Sequence, residues 1–319
     1  MSTTLNWDPL LQVVSSKLEV CLPESPADSR RLFHGRGYCY PGFERVCIDS
    51  YQPVILVTLF EEYEKEAALV AELWRLAAPQ GYTGIAVQRR YQKRAPIEWE
   101  AGEPLEAPMA QRGGLRFPLT FDRQNVGFFL DIEPGRQWLE QQVWDKTGQV
   151  ESLKLLNLFA FTCAFSVVAR AAGELEILNI DLNKGVLKRG QINHQLNQLS
   201  TKGTRFQARD ALRDFKRYDR SGPFQLAVVD PPTRQKGAFD VDENYARLLE
   251  KLPACLADEA DLLLVLNSPA HSEAEFRALI HNAHPGYAVV ERLPQNPDFP
   301  DKDPDAALKM LYVRFSRDL

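Results

Sequence analysis

Four apolar runs in the second half of the chain end in a short polar residue able to hold or activate a ligand. LKLLN closes on Asn157, LEILNID on Asp181, TRFQARD on Asp210 and FQLAVVD on Asp230, which is followed by Pro231 and Pro232. In an open α/β sheet, ligands occupy the crevice beyond the carboxyl ends of the strands, so these are the positions at which a site is built. Asp181 follows Asn157 by 24 residues, the separation at which an acidic side chain takes ribose hydroxyls in nucleotide-binding α/β units. Asn157 to Ser166 (NLFAFTCAFS) reads as a turn opening a helix, with its backbone amides directed at the ligand. A strand-terminal aspartate is often only a helix N-cap, a reading that fits Asp210 as well as the functional one. Four in succession at one edge is the pattern that asks for a site. No GxGxxG follows the first run, which disfavours a dinucleotide, whose pyrophosphate needs glycine for close approach.

The elements that must position these residues follow from the spacing. From about residue 153 short apolar runs alternate with helical segments: LKLLNLF and a helix over 163–172, LEILNID and a helix over 184–199, TRFQARD and a short helix, FQLAVVD and a helix over 243–256, DLLLVLN and a helix over 273–283. Such alternation predicts a parallel sheet covered on both faces. Tyr287 to Glu291 and LKMLYVRF are joined by a proline-rich loop without a helix, so the terminal strand is expected to be antiparallel. Upstream, a helix over 5–20, strands over 31–40 and 46–60, a helix over 61–79 and a strand over 85–91 make a small α+β module. The Pro-, Gly- and Glu-rich stretch 95–114 is the linker candidate, giving a small α+β domain at 1–110, suited to substrate recognition, and an α/β domain at 115–319.

With 319 residues, two domains are the better prior. Five scattered cysteines without a CxxC pair argue against a zinc site or a disulfide framework, and no metal is expected. No apolar run reaches the roughly 18 residues that cross a bilayer, and MSTTLNWDPLLQ lacks a signal peptide's character, so a cytoplasmic, membrane-free chain is expected. The net charge of −5 does not attract a polyanion, so a nucleic-acid partner needs a local patch. Arg89, Arg90, Lys93 and Arg94 around Tyr91 offer one, although a solvated strand end explains them equally well.

Together, LLNLFAFTCAFSVVARAAG, LNIDLNKGVLKRGQINHQLN, VVDPPTRQKGAF and FDRQNVGFFLDIEPGRQWL resemble the class I S-adenosylmethionine-dependent methyltransferases related to the 23S ribosomal RNA cytosine-C5 and guanine-N7 enzymes. The resemblance covers roughly 115–315 and implies a Rossmann-like sheet with an antiparallel last strand. It also implies S-adenosylmethionine, which has no pyrophosphate, as cofactor and ribosomal RNA as partner. Carried over, Asn157, Phe159, Ala160, Thr162 and Cys163 line the methionine part, Asp181 and Leu182 take the ribose, and Asp210 and Ala211 take the adenine. Asp230, Pro231 and Pro232 form the catalytic wall facing the acceptor, and Gln124, Gly127, Phe128 and Asp131 close over the cofactor. For that upstream group, a helix start with buried aromatics is the competing reading. Arg234 and Lys236 join the 89–94 cluster on the phosphate backbone.

Two positions depart from the family pattern: Cys163 stands where relatives have glycine, and Thr233 where amino-methylating enzymes place an aromatic. C5 methylation of cytosine requires an attacking thiolate, yet the matching positions hold Thr233 and Ser268, so the resemblance favours the guanine-N7 branch. The rival expectations are a methyltransferase of a small molecule or protein, a non-catalytic nucleotide-binding module and, least favoured, a nicotinamide-dependent dehydrogenase.

Overall fold

In the computed structural model, which describes residues 6–22, 26–213, 219–235 and 239–318, the chain divides into two units, Met1–Asp131 with Asn296–Asp303 and Ile132–Gln295 with Pro304–Leu319. The first contains α1 Asp8–Lys17, β1 Arg30–His34, β2 Val46–Tyr51, β3 Val54–Leu59, α2 Glu66–Ala77, β4 Gly84–Arg89, β5 Ile97–Gly102 and the hairpin of β6 Met109–Arg112 and β7 Leu115–Pro118. Strands β1 to β5 form one sheet in chain order, with β3 and β4 parallel across the α2 connection. Alternate residues Val46, Ile48, Ile55, Val57, Ile85 and Val87 pack with Leu10, Val14, Leu69 and Leu73 of the helices. The opposite face carries Arg31 paired with Asp49 and a buried Gln88 that donates to the Gln124 carbonyl at 3.0 Å.

Two expectations fail here for backbone reasons. The strand over 31–40 stops at His34, because the following turn threads Gly35 against the Phe43 carbonyl, where a Cβ would lie at 1.8 Å. The stretch 95–114 is not a linker: β5 pairs antiparallel with β4 from Gly84↔Gly102 to Gln88↔Ile97, and the units divide at Asp131. The return segment Asn296–Asp303 is held in this unit by Asp298, which accepts from Arg30 at 2.9 and 3.1 Å and from Lys17 at 3.1 Å.

The second unit contains α3 Glu133–Lys146, β8 Lys154–Leu158, α4 Ala164–Ala172, β9 Glu176–Asp181, α5 Lys184–Leu196, β10 Thr204–Ala208, β11 Phe224–Val229, the short β12 Arg234–Gln235 and β13 Phe239–Asp240, α6 Val241–Lys251, β14 Leu256–Leu266, α7 Glu273–Ala283, β15 Tyr287–Arg292 and β16 Lys309–Ser316. Its seven-stranded sheet runs β10-β9-β8-β11-β14-β16-β15. Five strands are parallel, and β16 is antiparallel to both neighbours, as expected from its helix-free connection. One face packs Tyr245, Leu248, Phe276 and Ile280 of α6 and α7 on Leu156, Ile180 and Leu264. The other packs Trp138, Leu139, Phe165 and Ala169 of α3 and α4 on Leu155, Ile177 and Leu226. Burial on both faces is why these strands read as unbroken apolar runs. Helix α6 spans Val241–Lys251 rather than 243–256: the Asp240 side chain caps its start and Pro253 falls in the turn that ends it. The short helix expected after Asp210 falls partly on 214–218, outside the described residues.

The Asp298 latch gives the first prediction. Arg30 and Lys17 outweigh the effect of burial and hold the Asp298 carboxyl below its ordinary value. Because the folded-state value is depressed, this stabilisation is present above the ordinary value of 3.8 and lost as the pH falls through the folded one. Asp298→Asn is expected to destabilise the chain by about 1–3 kcal/mol at pH 7. In urea titrations the difference from wild type should shrink towards pH 3.

Candidate active site

After Leu158 the backbone cannot continue as strand or begin a helix directly. Phe159, Phe161 and Cys163 adopt φ of 57°, 47° and 59°, a left-handed conformation that costs a non-glycine residue roughly 1–3 kcal/mol and survives only where surrounding contacts impose it. Those contacts are visible. The Phe161 amide donates to Asp181 Oδ2 at 2.9 Å, the Ala160 amide to the Ile180 carbonyl at 2.9 Å and the Cys163 amide to the Ala160 carbonyl at 2.7 Å. The expectation that this turn aims its amides at a ligand is therefore corrected: these three are satisfied within the unit.

Asp181, at the end of β9, is the hub. Its Oδ1 accepts the Asn183 amide at 2.8 Å while Oδ2 holds Phe161, and Asn183 in turn caps α5. Burial raises its carboxyl above the ordinary value, and the two amides oppose that rise. Each carboxylate oxygen has two acceptor sites, so both retain one for a ligand hydroxyl.

Beside it lies a small crevice partly open to solvent. Phe159, Asp181, Leu182, Asp210 and Ala211 of the expected set line it, together with Ile180, Arg209, Leu212 and Phe239. Phe159 and Phe239 meet edge to face at 4.9 Å, giving an aromatic wall for a flat ring. Asp210 Oδ1 accepts the Leu212 and Arg213 amides at 2.8 and 2.9 Å, so that oxygen serves the turn it opens. Sequence reasoning missed Phe239: it stands on a two-residue strand too short to carry a period.

Asn157, Ala160, Thr162 and Cys163 are not among the residues that line the crevice. Asn157 is 1% exposed and starts a buried polar chain. Its amide donates to Asn179 Oδ1 at 2.8 Å, Asn179 Nδ2 to Ser166 Oγ at 3.0 Å, Ser166 Oγ bonds His194 Nε2 at 3.0 Å, and His194 Nδ1 reaches the Gly190 carbonyl at 2.8 Å. The expected ligand role for Asn157 is corrected accordingly: its side-chain amide is spent on fastening β8 to β9, α4 and α5. Thr162 is buried, and its carbonyl accepts from Asn193 at 2.8 Å. Ala160 and Cys163 pack on Leu187. Burial, and secondarily the charge of Asp181, push the Cys163 thiol well above its ordinary range, so it is no nucleophile.

At the end of β11, Pro231 is buried while Pro232 and Thr233 are exposed. Asp230 is half-buried, close enough that its charge, after burial itself, raises the Tyr245 hydroxyl. Thr233 Oγ1 donates to the Asn267 carbonyl. Cys255 is buried and bonded to the Leu252 carbonyl at 3.2 Å, just before the amino end of β14 and so away from the sheet edge at which Asp230 emerges. Among the described residues no group of three His, Cys, Asp or Glu is placed to hold a metal, and no helix is long and apolar enough to cross a membrane.

The first unit holds Gln124, Gly127, Phe128 and Asp131. The Gln124 carbonyl accepts from Gln88 and Arg90, and Phe128 is buried 4.6 Å from Phe117. The basic cluster is half dismantled. Arg89 is enclosed by Glu66, Glu98 and Glu100, so its expected phosphate role is corrected: its charge is already neutralised. Arg90 donates to the Gln124 carbonyl at 2.7 Å, whereas Lys93 and Arg94 are exposed. Arg234 is exposed and pairs with Asp240 at 2.7 Å, and Lys236 lies outside the described residues.

A family model described as S-adenosylmethionine-dependent methyltransferase matches residues 30–314. Ribosomal RNA large subunit methyltransferase K/L of Pseudoalteromonas translucida (strain TAC 125) is 32% identical over 182 residues, 53% of this chain and 24% of that protein. Ribosomal RNA large subunit methyltransferase I of Aeromonas salmonicida (strain A449) is 25% identical over 201 residues, 60% of this chain and 48% of that protein. The chain thus spans about a quarter and about half of these relatives. The crystal structure of the SAM-dependent methyltransferase from Agrobacterium tumefaciens matches with a TM-score of 0.69 at 20% identity, covering 94% of this chain and 92% of that one. A Streptococcus mutans chain proposed as a SAM-dependent methyltransferase reaches 0.80 at 19% identity, covering 98% and 83%. At these identities the likeness speaks for the fold, and the strand order agrees with a Rossmann-like sheet whose last strand is antiparallel.

The tightness of the turn is testable at Gly190, where an added Cβ would lie 2.4 Å from Cys163 Sγ and 2.8 Å from its Cβ. Gly190→Ala is expected to destabilise the chain by about 1–3 kcal/mol. Cys163→Gly removes the obstructing side chain and suits the left-handed backbone. The double variant should therefore recover at least about 1 kcal/mol of the loss in a denaturation-based double-mutant cycle.

Proposed function

The chain belongs to the S-adenosylmethionine-dependent methyltransferases, and from that membership we propose that it methylates a base of ribosomal RNA by direct attack of a base nitrogen, on the pattern of guanine-N7 rather than cytosine-C5 transfer. One observation carries the reading: a crevice with Asp181, Asp210 and the Phe159–Phe239 wall lies at the carboxyl edge of the sheet from which Asp230-Pro231-Pro232 also emerges. The RNA acceptor is supported by the names of the two relatives, both ribosomal RNA large subunit methyltransferases.

The residues fit the cofactor: free acceptor capacity on Asp181 suits ribose hydroxyls, Asp210 and Ala211 suit the adenine edge, and the aromatic pair suits its face. When bound, S-adenosylmethionine supplies a sulfonium methyl group open to attack by a lone pair. The protein's part is alignment and exclusion of water. Asp230 and the rigid Pro231–Pro232 backbone position the acceptor, and a ring nitrogen needs no base, whereas an amine passes its proton to Asp230. Thr233 and Ser268 stand where a C5 enzyme needs a thiolate, and Cys163 and Cys255 are buried. The exposed Lys93 and Arg94 offer charge to the phosphate backbone. A base within a duplex has to be flipped out first. The net charge of −5 and the neutralised Arg89 favour, as a second reading, an acceptor that is a small molecule or protein.

Ribosomal RNA from a strain lacking the protein should gain one methyl group from labelled S-adenosylmethionine at a single position mapped by mass spectrometry. Transfer to a small molecule or protein with none to RNA supports the second reading. Asp181→Ala is expected to weaken cofactor binding at least tenfold by calorimetry, whereas Asp230→Ala should bind normally and transfer at least tenfold more slowly. Since the ionised Asp181 accepts the ribose hydroxyls and burial raises its carboxyl, cofactor affinity should fall on acidification at a pH above the ordinary carboxylate value of 3.8.

A further inference from the structure

Pro231 and Pro232 have no amide hydrogens, so for two residues the acceptor wall cannot be pinned by its own backbone donors. Pro232, Thr233 and Arg234 are also exposed, so core packing does not fix them. Something else must hold this segment if it is to align an acceptor. Strands β11 and β14 are parallel neighbours in the register Val229↔Leu264, which brings Asn267 and Ser268 out at the same edge as Pro232 and Thr233.

A closed ring of contacts joins the two segments. Thr233 Oγ1 donates to the Asn267 carbonyl, Ser268 Oγ bonds His271 Nδ1 at 2.8 Å, and His271 Nε2 meets Asp242 Oδ1 at 2.7 Å. Asp242 lies in the first turn of α6, and the neighbouring Val241 amide returns to the Thr233 carbonyl at 3.1 Å. A carboxylate only accepts, so Nε2 carries a hydrogen toward Asp242, while Nδ1 faces the Ser268 hydroxyl. Behind the ring the fully buried Lys309 donates to the Ser268 carbonyl at 3.1 Å, fixing the serine's backbone.

We propose that His271 is a positioning residue for methyl transfer, bridging Ser268 to Asp242 so that the ring holds the Asp230–Thr233 wall in place. The inference rests on the methyltransferase reading and adds to it a residue outside the cofactor crevice. In the ring it is the imidazole that joins the side chains of Ser268 and Asp242, so its removal opens the ring.

The test uses the full chain with His271→Ala, Asp242→Ala and His271→Gln, the last keeping one donor and one acceptor on a planar group. In both alanine variants the Val241 amide should exchange with deuterium at least tenfold faster. Transfer to ribosomal RNA should slow at least tenfold in kcat, with cofactor affinity within twofold of wild type. His271→Gln should restore most of both. Unchanged exchange and kcat in the alanine variants overturn the proposal, as does a loss of kcat matched by loss of cofactor affinity or melting temperature. If the wild type transfers nothing to RNA, the functional reading fails, and faster or unchanged Val241 exchange alone decides whether His271 holds the wall.

Discussion

The active-site end of the sheet depends on one carboxylate. Asp181 accepts the Phe161 and Asn183 amides on its two oxygens, and so ties the turn after β8 to the turn after β9. Three residues of the first turn sit in left-handed conformations that no local preference supports. The same carboxylate that holds the turn lines the crevice, so the shape of the pocket and its free acceptor positions come from one side chain. Burial works against its charge, and the amides work for it.

Beneath that hub the sheet is fastened by groups that a cofactor cannot reach. The chain from Asn157 through Asn179, Ser166 and His194 to the Gly190 carbonyl satisfies each buried polar group in turn, which is the condition for such a network to support a core rather than weaken it. It links two strands and two helices with a single donor direction. Gly190 has a second task, since its missing Cβ makes room for Cys163. Cys163 is thus accommodated from a neighbouring helix, and the turn keeps its path.

Much of this was legible in the sequence, and the failures have physical causes. The parallel strands were plain because burial on both faces leaves unbroken Leu, Ile and Val runs, and the antiparallel β16 because no helix precedes it. Asp181 and Asp210 are legible as strand-end residues and Leu182 and Ala211 through the family resemblance, and the sheet edge brings all four to one crevice. Asn157 was misread because strand-end position does not reveal which way a side chain points: its neighbours across the register are Asn179 and Val228, and its amide bonds the former. Arg89 looked like a phosphate ligand because the glutamates that enclose it lie 9 to 23 residues away in sequence. Phe239, and the tie between His271 and Asp242, depend on contacts that no period announces.

The central claim is that Asp181 serves both the fold of the turn and the cofactor. Its most direct test is a crystal structure of the chain with S-adenosylhomocysteine. The expected result is the ribose hydroxyls on Asp181, the adenine beside Asp210 and Phe239, and the Phe161 and Asn183 amides still bound to the carboxylate. A ligand seated elsewhere, or an Asp181 that makes no contact with it, contradicts the account.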